Sequence, residues 1–209
     1  GSAGTLVGMP LEFSRNGRRL LFTSANTHVI EGLAEGRTRY AFHDLETGRN
    51  SLAVGDDAEP RNAILLGEEG AVVFESSLRT LADSDLNRAC DLFIKPPEGP
   101  GVALLTPRIP SLVSRTADGI SSLGDHAFSA DGRYLVLTST AGDLVSGDNN
   151  GAPDVFLQDR RDGSIRPLSV PWDGTGVGTG PSGQPELSED GRYVAFISGA
   201  PHLVSGDAG

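Results

Sequence analysis

Two acidic segments of the sequence carry oxygen-bearing side chains at the same spacing. In both segments these side chains stand at the first, third and seventh positions: Asp85, Asn87 and Asp91 in one, Asp148, Asn150 and Asp154 in the other. Calcium binds about six to eight oxygen atoms from carboxylates, amide side chains and backbone carbonyls, and a short loop with oxygens at alternating positions can curl around it. The spacing therefore predicts one bound calcium in each segment.

A structural role explains the same residues without a metal. Asn150 and Gly151 form a typical turn pair, and the carboxylates of Asp148 and Asp154 can accept hydrogen bonds from nearby backbone amides. The segments also lack the complete ligand spacing of an EF-hand loop. Both interpretations stay open at this point. Asp207 occupies the first position of a further copy of the segment, and it joins the candidate metal ligands.

The sequence contains no recognisable catalytic arrangement. Its histidines are spread along the chain, whereas a transition-metal or acid–base site needs several such side chains to converge; they are His28, His43, His126 and His202. A Gly-x-Ser-x-Gly nucleophile elbow is absent. The glycine-rich run 174–180 lacks the lysine of a phosphate-binding loop, so we interpret it as a flexible linker. Trp172 is expected to pack between structural units, and if exposed it could stack on a sugar or a proline.

The candidate residues belong to a unit that repeats about three and a half times. Its clearest part is Ser-x-Asp-Gly-Arg-Tyr before an apolar strand, at 129–134 and again at 188–193. Weaker copies start at Ser14 and Gly67, so the four starting points are 53, 62 and 59 residues apart. A period of this size is typical of stacked repeats.

Each repeat contains the signals of four strands. In the third copy the strand candidates are 127–129, 134–139, 154–158 and 165–170, and Asp-Gly turns are present in both hairpins of the unit. Four-stranded antiparallel sheets that repeat along a chain build a β-propeller. The sequence therefore predicts an all-β propeller with about three and a half blades in this chain. The expected blades are 1–60, 61–122 and 123–182, with the first half of a fourth blade at 183–209.

The segment from Phe128 to Val136, followed by Asp154 to Asp159, resembles the TolB-like, WD-related propeller repeat of bacterial cell-envelope and secreted proteins. The resemblance covers nearly the whole chain and is strongest in the third and fourth copies. It implies a propeller of about six to eight blades in the periplasm or outside the cell. It implies little about activity, because propellers carry many unrelated functions.

Charge and composition restrict the partners. The chain has 28 acidic and 17 basic side chains and a net charge of -11, which repels nucleic acid and anionic membranes. No apolar stretch approaches the ~20 residues of a membrane-spanning helix. An incomplete ring would expose strand edges and an apolar face, so we expect association with another chain or with further blades of the same protein.

Two functions are compatible with these features. The first is a non-catalytic interaction scaffold of an exported bacterial protein, stabilised by calcium, that binds a protein or glycan. The alternative is the propeller part of a hydrolase, peptidase or lyase whose catalytic residues lie outside this chain.

Overall fold

A computed structural model describes residues 12–25, 29–30, 37–67, 70–83, 85, 89–99, 101–106 and 119–206. These residues form four antiparallel sheets. Sheet one contains β1 (Glu12–Phe13), β2 (Arg19–Ser24), β3 (Arg39–Asp44) and β4 (Asn50–Leu52). Sheet two contains β5 (Ala63–Leu66), β6 (Ala71–Ser76), β7 (Asp91–Lys95) and β8 (Ala103–Leu104). Sheet three contains β9 (Ser121–Phe128), β10 (Tyr134–Ser139), β11 (Asp154–Asp159) and β12 (Ser164–Pro167), and sheet four contains β13 (Ser182–Leu187) and β14 (Val194–Ser198).

The prediction of an all-β chain of repeated four-stranded antiparallel sheets is confirmed. In each of the first three sheets the strands pair in chain order, so every strand is a neighbour of the next. The first two strands of the fourth copy pair in the same way. The blade boundaries at residues 60, 122 and 182 stay predictions. Within the described ranges, no helix is long and apolar enough to span a bilayer.

The Ser-x-Asp-Gly-Arg-Tyr motif closes the hairpin between the first and second strands through its own side chains. In sheet three the hydroxyl of Ser129 donates to Oδ1 of Asp131 at 2.6 Å and accepts from the backbone N of Tyr134 at 3.0 Å. Oδ1 of Asp131 also accepts from the backbone N of Arg133 at 3.0 Å. Gly132 has a φ of 68°, a conformation that glycine adopts without strain. The motif thus encodes the turn locally.

The sheets pack on one another through the second strand of each copy. Equivalent positions hold Leu21, Val73 and Val136, which are at most 2% exposed. Val136 packs with Leu157 and with Leu187 of sheet four. Each fully buried side chain of this size contributes about 1.5–3 kcal/mol of transfer free energy. We call the side of each sheet that carries this residue the forward face, because it contacts the next sheet along the chain.

The second half of the glycine-rich run is packed, and the prediction of a flexible linker is wrong for that half. The backbone N of Gly178 donates to the carbonyl of Ser169 at 2.7 Å. A Cβ atom on Gly180 would lie 2.8 Å from Cα of Ala200 and 2.8 Å from the carbonyl oxygen of Gly199. Gly178 and Gly180 are therefore required because this part of the connection passes close to the chain that follows β14.

Replacement of Gly180 by alanine tests this close approach. We expect Gly180→Ala to lower the free energy of unfolding by about 1–3 kcal/mol, because the added methyl group meets backbone atoms that cannot move aside independently. Gly101→Ala is the matched control, since a Cβ there meets no atom within 4 Å. Its effect should stay within about 0.5 kcal/mol in chemical denaturation. Equal stability of the two variants would contradict the packed connection.

Candidate functional site

The structure places four of the predicted metal ligands inside the protein. Asp85 and Asp148 are 5% and 2% exposed, and Asp91 and Asp154, the first residues of β7 and β11, are 5% and 0% exposed. Asn150 lies beside Asp154 and is partly buried. The remaining two candidates, Asn87 and Asp207, lie outside the described residues.

Asp91 and Asp154 each bond to a hydroxyl that follows the fourth strand of the same sheet. Ser169 Oγ donates to Oδ1 of Asp154 at 2.6 Å and accepts from the backbone N of Val155 at 3.1 Å. In sheet two, Oγ1 of Thr106 donates to Oδ1 of Asp91 at 2.9 Å. We call these two pairs the aspartate latches, because each joins the start of the third strand to the chain beyond the fourth.

Asn150 completes the latch in sheet three. Its Nδ2 donates to Oδ2 of Asp154 at 2.7 Å and also to the carbonyl of Gly178. Its Oδ1 accepts from the backbone N of Ala152 at 2.6 Å. Both carboxylate oxygens of Asp154 and the amide oxygen of Asn150 therefore hold donors from the protein itself. The structural interpretation predicted backbone amides as the donors to Asp154, whereas the structure has the side chains of Ser169 and Asn150 in that role.

Sheet one uses a different pair at the same place. Arg39 begins β3, as Asp91 and Asp154 begin β7 and β11, and it forms a salt bridge with Asp56. Its Nη2 donates to Oδ2 of Asp56 at 3.3 Å. The Arg39 side chain is 8% exposed. Arg39 is not among the residues predicted from the sequence, because its partner Asp56 lies 17 residues away and no short motif indicates the ion pair.

The described carboxylates do not assemble into a larger acidic centre. Among the residues that the structure describes, no group of three or more histidine, cysteine, aspartate or glutamate side chains is placed to hold a metal ion. The calcium sites stay a prediction. Of the histidines, His43 contacts Oδ1 of Asn50 at 2.8 Å through Nδ1, and His28 lies outside the described residues. Trp172 is 62% exposed, so the prediction that it packs between sheets is wrong.

The environment of Asp154 has a consequence for pH dependence. Burial raises the pKa of the Asp154 carboxyl above its ordinary value, and the hydrogen bonds from Ser169 and Asn150 partly oppose that shift. A raised pKa in the folded state means that this carboxyl favours folding most when it is protonated. Its contribution is fully present below the unfolded pKa of about 3.9 and is lost as the pH rises through the folded value.

Removal of one latch hydroxyl tests its structural role. Ser169→Ala takes away the donor to Asp154 and the acceptor of Val155, so we expect a loss of about 1–3 kcal/mol in unfolding free energy. The matched control is Thr175→Ala, which removes an equally short hydroxyl–carboxylate bond, 2.6 Å to Asp173, on the exposed surface. The control should change stability by less than about 0.5 kcal/mol. An equal loss of unfolding free energy in the two variants would contradict the structural role of the buried latch.

Comparisons with known proteins relate this chain to solved structures of one fold. No protein-family model matches the chain, and no curated protein does. Solved structures do match. TolB from Acinetobacter baumannii is similar at a TM-score of 0.54 with 17% sequence identity, over 95% of this chain and 38% of that one. A TolB-type protein from Agrobacterium tumefaciens gives a TM-score of 0.52 with 16% identity, over 90% of this chain and 52% of that one.

A third solved structure widens the range of activities found on the same fold. An oligogalacturonate lyase in complex with manganese has a TM-score of 0.53 and 14% identity, over 88% of this chain and 45% of that one. This chain thus spans between 38% and 52% of the three structures. At such identities the likeness concerns the fold, and it confirms the resemblance inferred from the repeats. The chain has the fold of a TolB-like β-propeller.

Proposed function

We propose that this chain is the propeller segment of an exported bacterial protein and that it acts as a non-catalytic scaffold for another protein. The observation that supports the proposal is the forward face of sheet four. That face carries Tyr193, Ala195 and Ile197, of which Tyr193 is 65% and Ile197 is 67% exposed. Exposed apolar side chains that are contiguous on one face are typical of an interaction surface.

The equivalent face of sheet three packs against a neighbouring sheet. Tyr134, Val136 and Thr138 hold the positions of Tyr193, Ala195 and Ile197, since both sets start at the tyrosine of the repeat motif. Val136 is 0% exposed because sheet four covers it. We therefore expect the forward face of sheet four to pack against another sheet, which a further blade or a partner protein would supply.

The edge of β14 favours the same kind of partner. β10 pairs with β9 on one side. On the other side it pairs with β11 over the six residues from Tyr134 to Ser139. Within the described residues β14 pairs only with β13. An open strand edge offers a row of backbone donors and acceptors to an added strand. Backbone pairing and apolar contact thus both fit added β-structure, either the remaining strands and blades of the same protein or a β-structured partner.

Two further parts of the proposal concern location and the class of partner. The fold shared with TolB structures supports export to the periplasm or the cell exterior. The net charge of -11 argues against nucleic acid as the partner. A glycan would be favoured by the exposed ring of Trp172. A protein is favoured by the apolar side chains and the strand edge of sheet four wherever further blades of the same protein leave them uncovered.

The second candidate function is the propeller part of an enzyme. It is favoured by the likeness to the oligogalacturonate lyase, a propeller structure that carries a catalytic activity. In that case the catalytic residues would lie outside this chain, in other parts of the full protein. A catalytic domain joined to the complete ring would favour this function, whereas further repeats alone would favour the scaffold.

Calcium in the long loops is the remaining part of the proposal. Asp85 and Asp148 are buried at equivalent positions after the second strands of their sheets. In the loop of Asp148, calcium would take the places of the donors that now bind Asn150 Oδ1 and Asp154. A hard cation of this kind suits carboxylate, amide and carbonyl oxygens.

Ile197→Lys tests the interaction surface. We expect the unaltered chain to self-associate as its concentration rises in light scattering, because two exposed apolar faces can cover one another. The added charge should shift the midpoint of association to about tenfold higher concentration, a change of about 1.4 kcal/mol. Val204→Lys is the matched control, since Val204 is 63% exposed but lies outside the sheet. A chain that stays monomeric at all concentrations would contradict the proposal.

Thermal unfolding with EDTA, calcium and magnesium tests the metal sites. Calcium at about 100 times its Kd should stabilise the chain by about 2.7 kcal/mol and raise the Tm by about 5–10 °C. Magnesium should not reproduce the rise, and the double variant Asp85→Asn, Asp148→Asn should abolish it. Asp162→Asn, in the exposed turn before β12, is the control and should keep it. If calcium has no effect of its own, the segments are held by their internal hydrogen bonds alone.

A further inference from the structure

Two cavities lie where the first strands of the sheets meet. The cavity between sheets one and two has a volume of about 330 Å³, and Glu12, Thr23, Tyr40 and Asn62 contribute its polar groups. The cavity between sheets three and four has a volume of about 430 Å³. Gly124 and Asp125 of β9 line both, so the two cavities meet at one strand.

The cavities arise from a repeated feature of the second strands. Thr23 and Thr138 stand one residue before the end of β2 and β10 on the forward face, and each lines one cavity. The same position in β6 holds Glu75, whose Oε1 accepts from the backbone N of Leu123 at 2.9 Å. The long glutamate thus bridges sheets two and three, whereas a short threonine leaves space between the neighbouring pairs.

Irregular pairing directs polar side chains toward this space. The register between β9 and β10 shifts between Leu135 and Leu137, and the register between β13 and β14 shifts between Gly183 and Glu186. Asp125 and Glu186 lie in or beside these irregularities and are exposed. Gly124 allows the two first strands to approach, because a Cβ there would lie 2.4 Å from the carbonyl oxygen of Pro185. Bulges of this kind often re-aim side chains at binding sites.

The lining combines negative charge with an apolar wall. Glu12 and Asp125 line the first cavity, and Asp125 and Glu186 line the second. The described lining residues of the two cavities include no lysine, arginine or histidine. Leu21, Phe22 and Ile64 form the apolar side of the first cavity. Lysine and arginine side chains match this combination, since they have an apolar stem and a cationic end.

We propose that the paired cavities bind basic side chains of an extended segment of a partner protein. One cationic side chain would enter each cavity, with its charge near Asp125 and Glu12 in the first and near Asp125 and Glu186 in the second. In the first cavity its stem would lie on the apolar wall. The site is separate from the forward face of sheet four and does not depend on it. Burial raises the pKa of Glu12, and a cation in the cavity would oppose that shift.

Fluorescence anisotropy with labelled tetra-lysine tests the proposal on the full chain. Asp125→Asn and Glu186→Gln should each weaken binding about three- to fivefold at physiological salt, as expected for the loss of one exposed charge pair. Glu98→Gln removes one exposed charge in the turn before β8 and should leave the affinity within about twofold. Tetra(acetyl-lysine) should not bind, because it lacks the cationic ends.

The controls decide between a site and general attraction to an acidic protein. Equal weakening by Glu98→Gln would mean diffuse electrostatics, and it would overturn the proposal. Binding of the acetylated peptide, or no binding of tetra-lysine at all, would overturn it as well. Asp125 and Glu186 are exposed, so their variants should retain the unfolding transition of the unaltered chain. Carbodiimide cross-linking gives a second measurement: lysine amines should form amide bonds preferentially with the carboxyls of Asp125 and Glu186.

Discussion

The contact between neighbouring sheets through the second strand is the interaction on which the rest of the structure depends. Because side chains alternate along a strand, burial of Leu21, Val73 or Val136 on the forward face assigns every neighbouring residue to one side. In sheet three the opposite side is also buried, and Leu135 and Leu137 are 0% exposed. The second strands must therefore be apolar on both faces. This explains why they appear in the sequence as short uninterrupted apolar runs rather than as alternating ones.

Because the sheets are buried on both faces, polar groups at the strand ends need partners within the protein. A polar group that enters the interior at such an end loses water and needs a partner. Asp154 meets the demand with Ser169 and Asn150, whereas Arg39 meets it in sheet one with Asp56. The first residue of the third strand is acidic in sheet three and basic in sheet one. In both sheets it binds a side chain that follows the fourth strand. This comparison supports strand closure as the constraint on the position, and calcium at the latch of Asp154 would replace the hydrogen bonds that now make this closure.

The sequence allowed prediction of the features whose causes are local. The turn at Asp131 and Gly132 lies within one motif, so the position of the hairpin could be predicted from this residue pair, although the hydrogen bonds of Ser129 were not predicted. β9 was predicted only from residue 127, although it starts at Ser121, because Gly124, Asp125 and His126 interrupt the apolar pattern. The irregular register that accommodates them depends on β10 and β13, which lie elsewhere in the chain. Strand identity could therefore be predicted, but its irregularities could not.

The same reasoning explains why the candidate sites were only partly visible. The aspartate latch joins residues 15 apart, and the partner of Arg39 lies 17 residues away, so neither pair forms a short motif. The glycine run is typical of a linker in sequence because its contacts with Gly199 and Ala200 come from a distant part of the chain, just after β14. In a repeat array the shared residues build the scaffold, and differences between copies change local chemistry. The exchange between Thr23, Glu75 and Thr138 shows this directly, since one longer side chain bridges an interface at which the other two border a cavity.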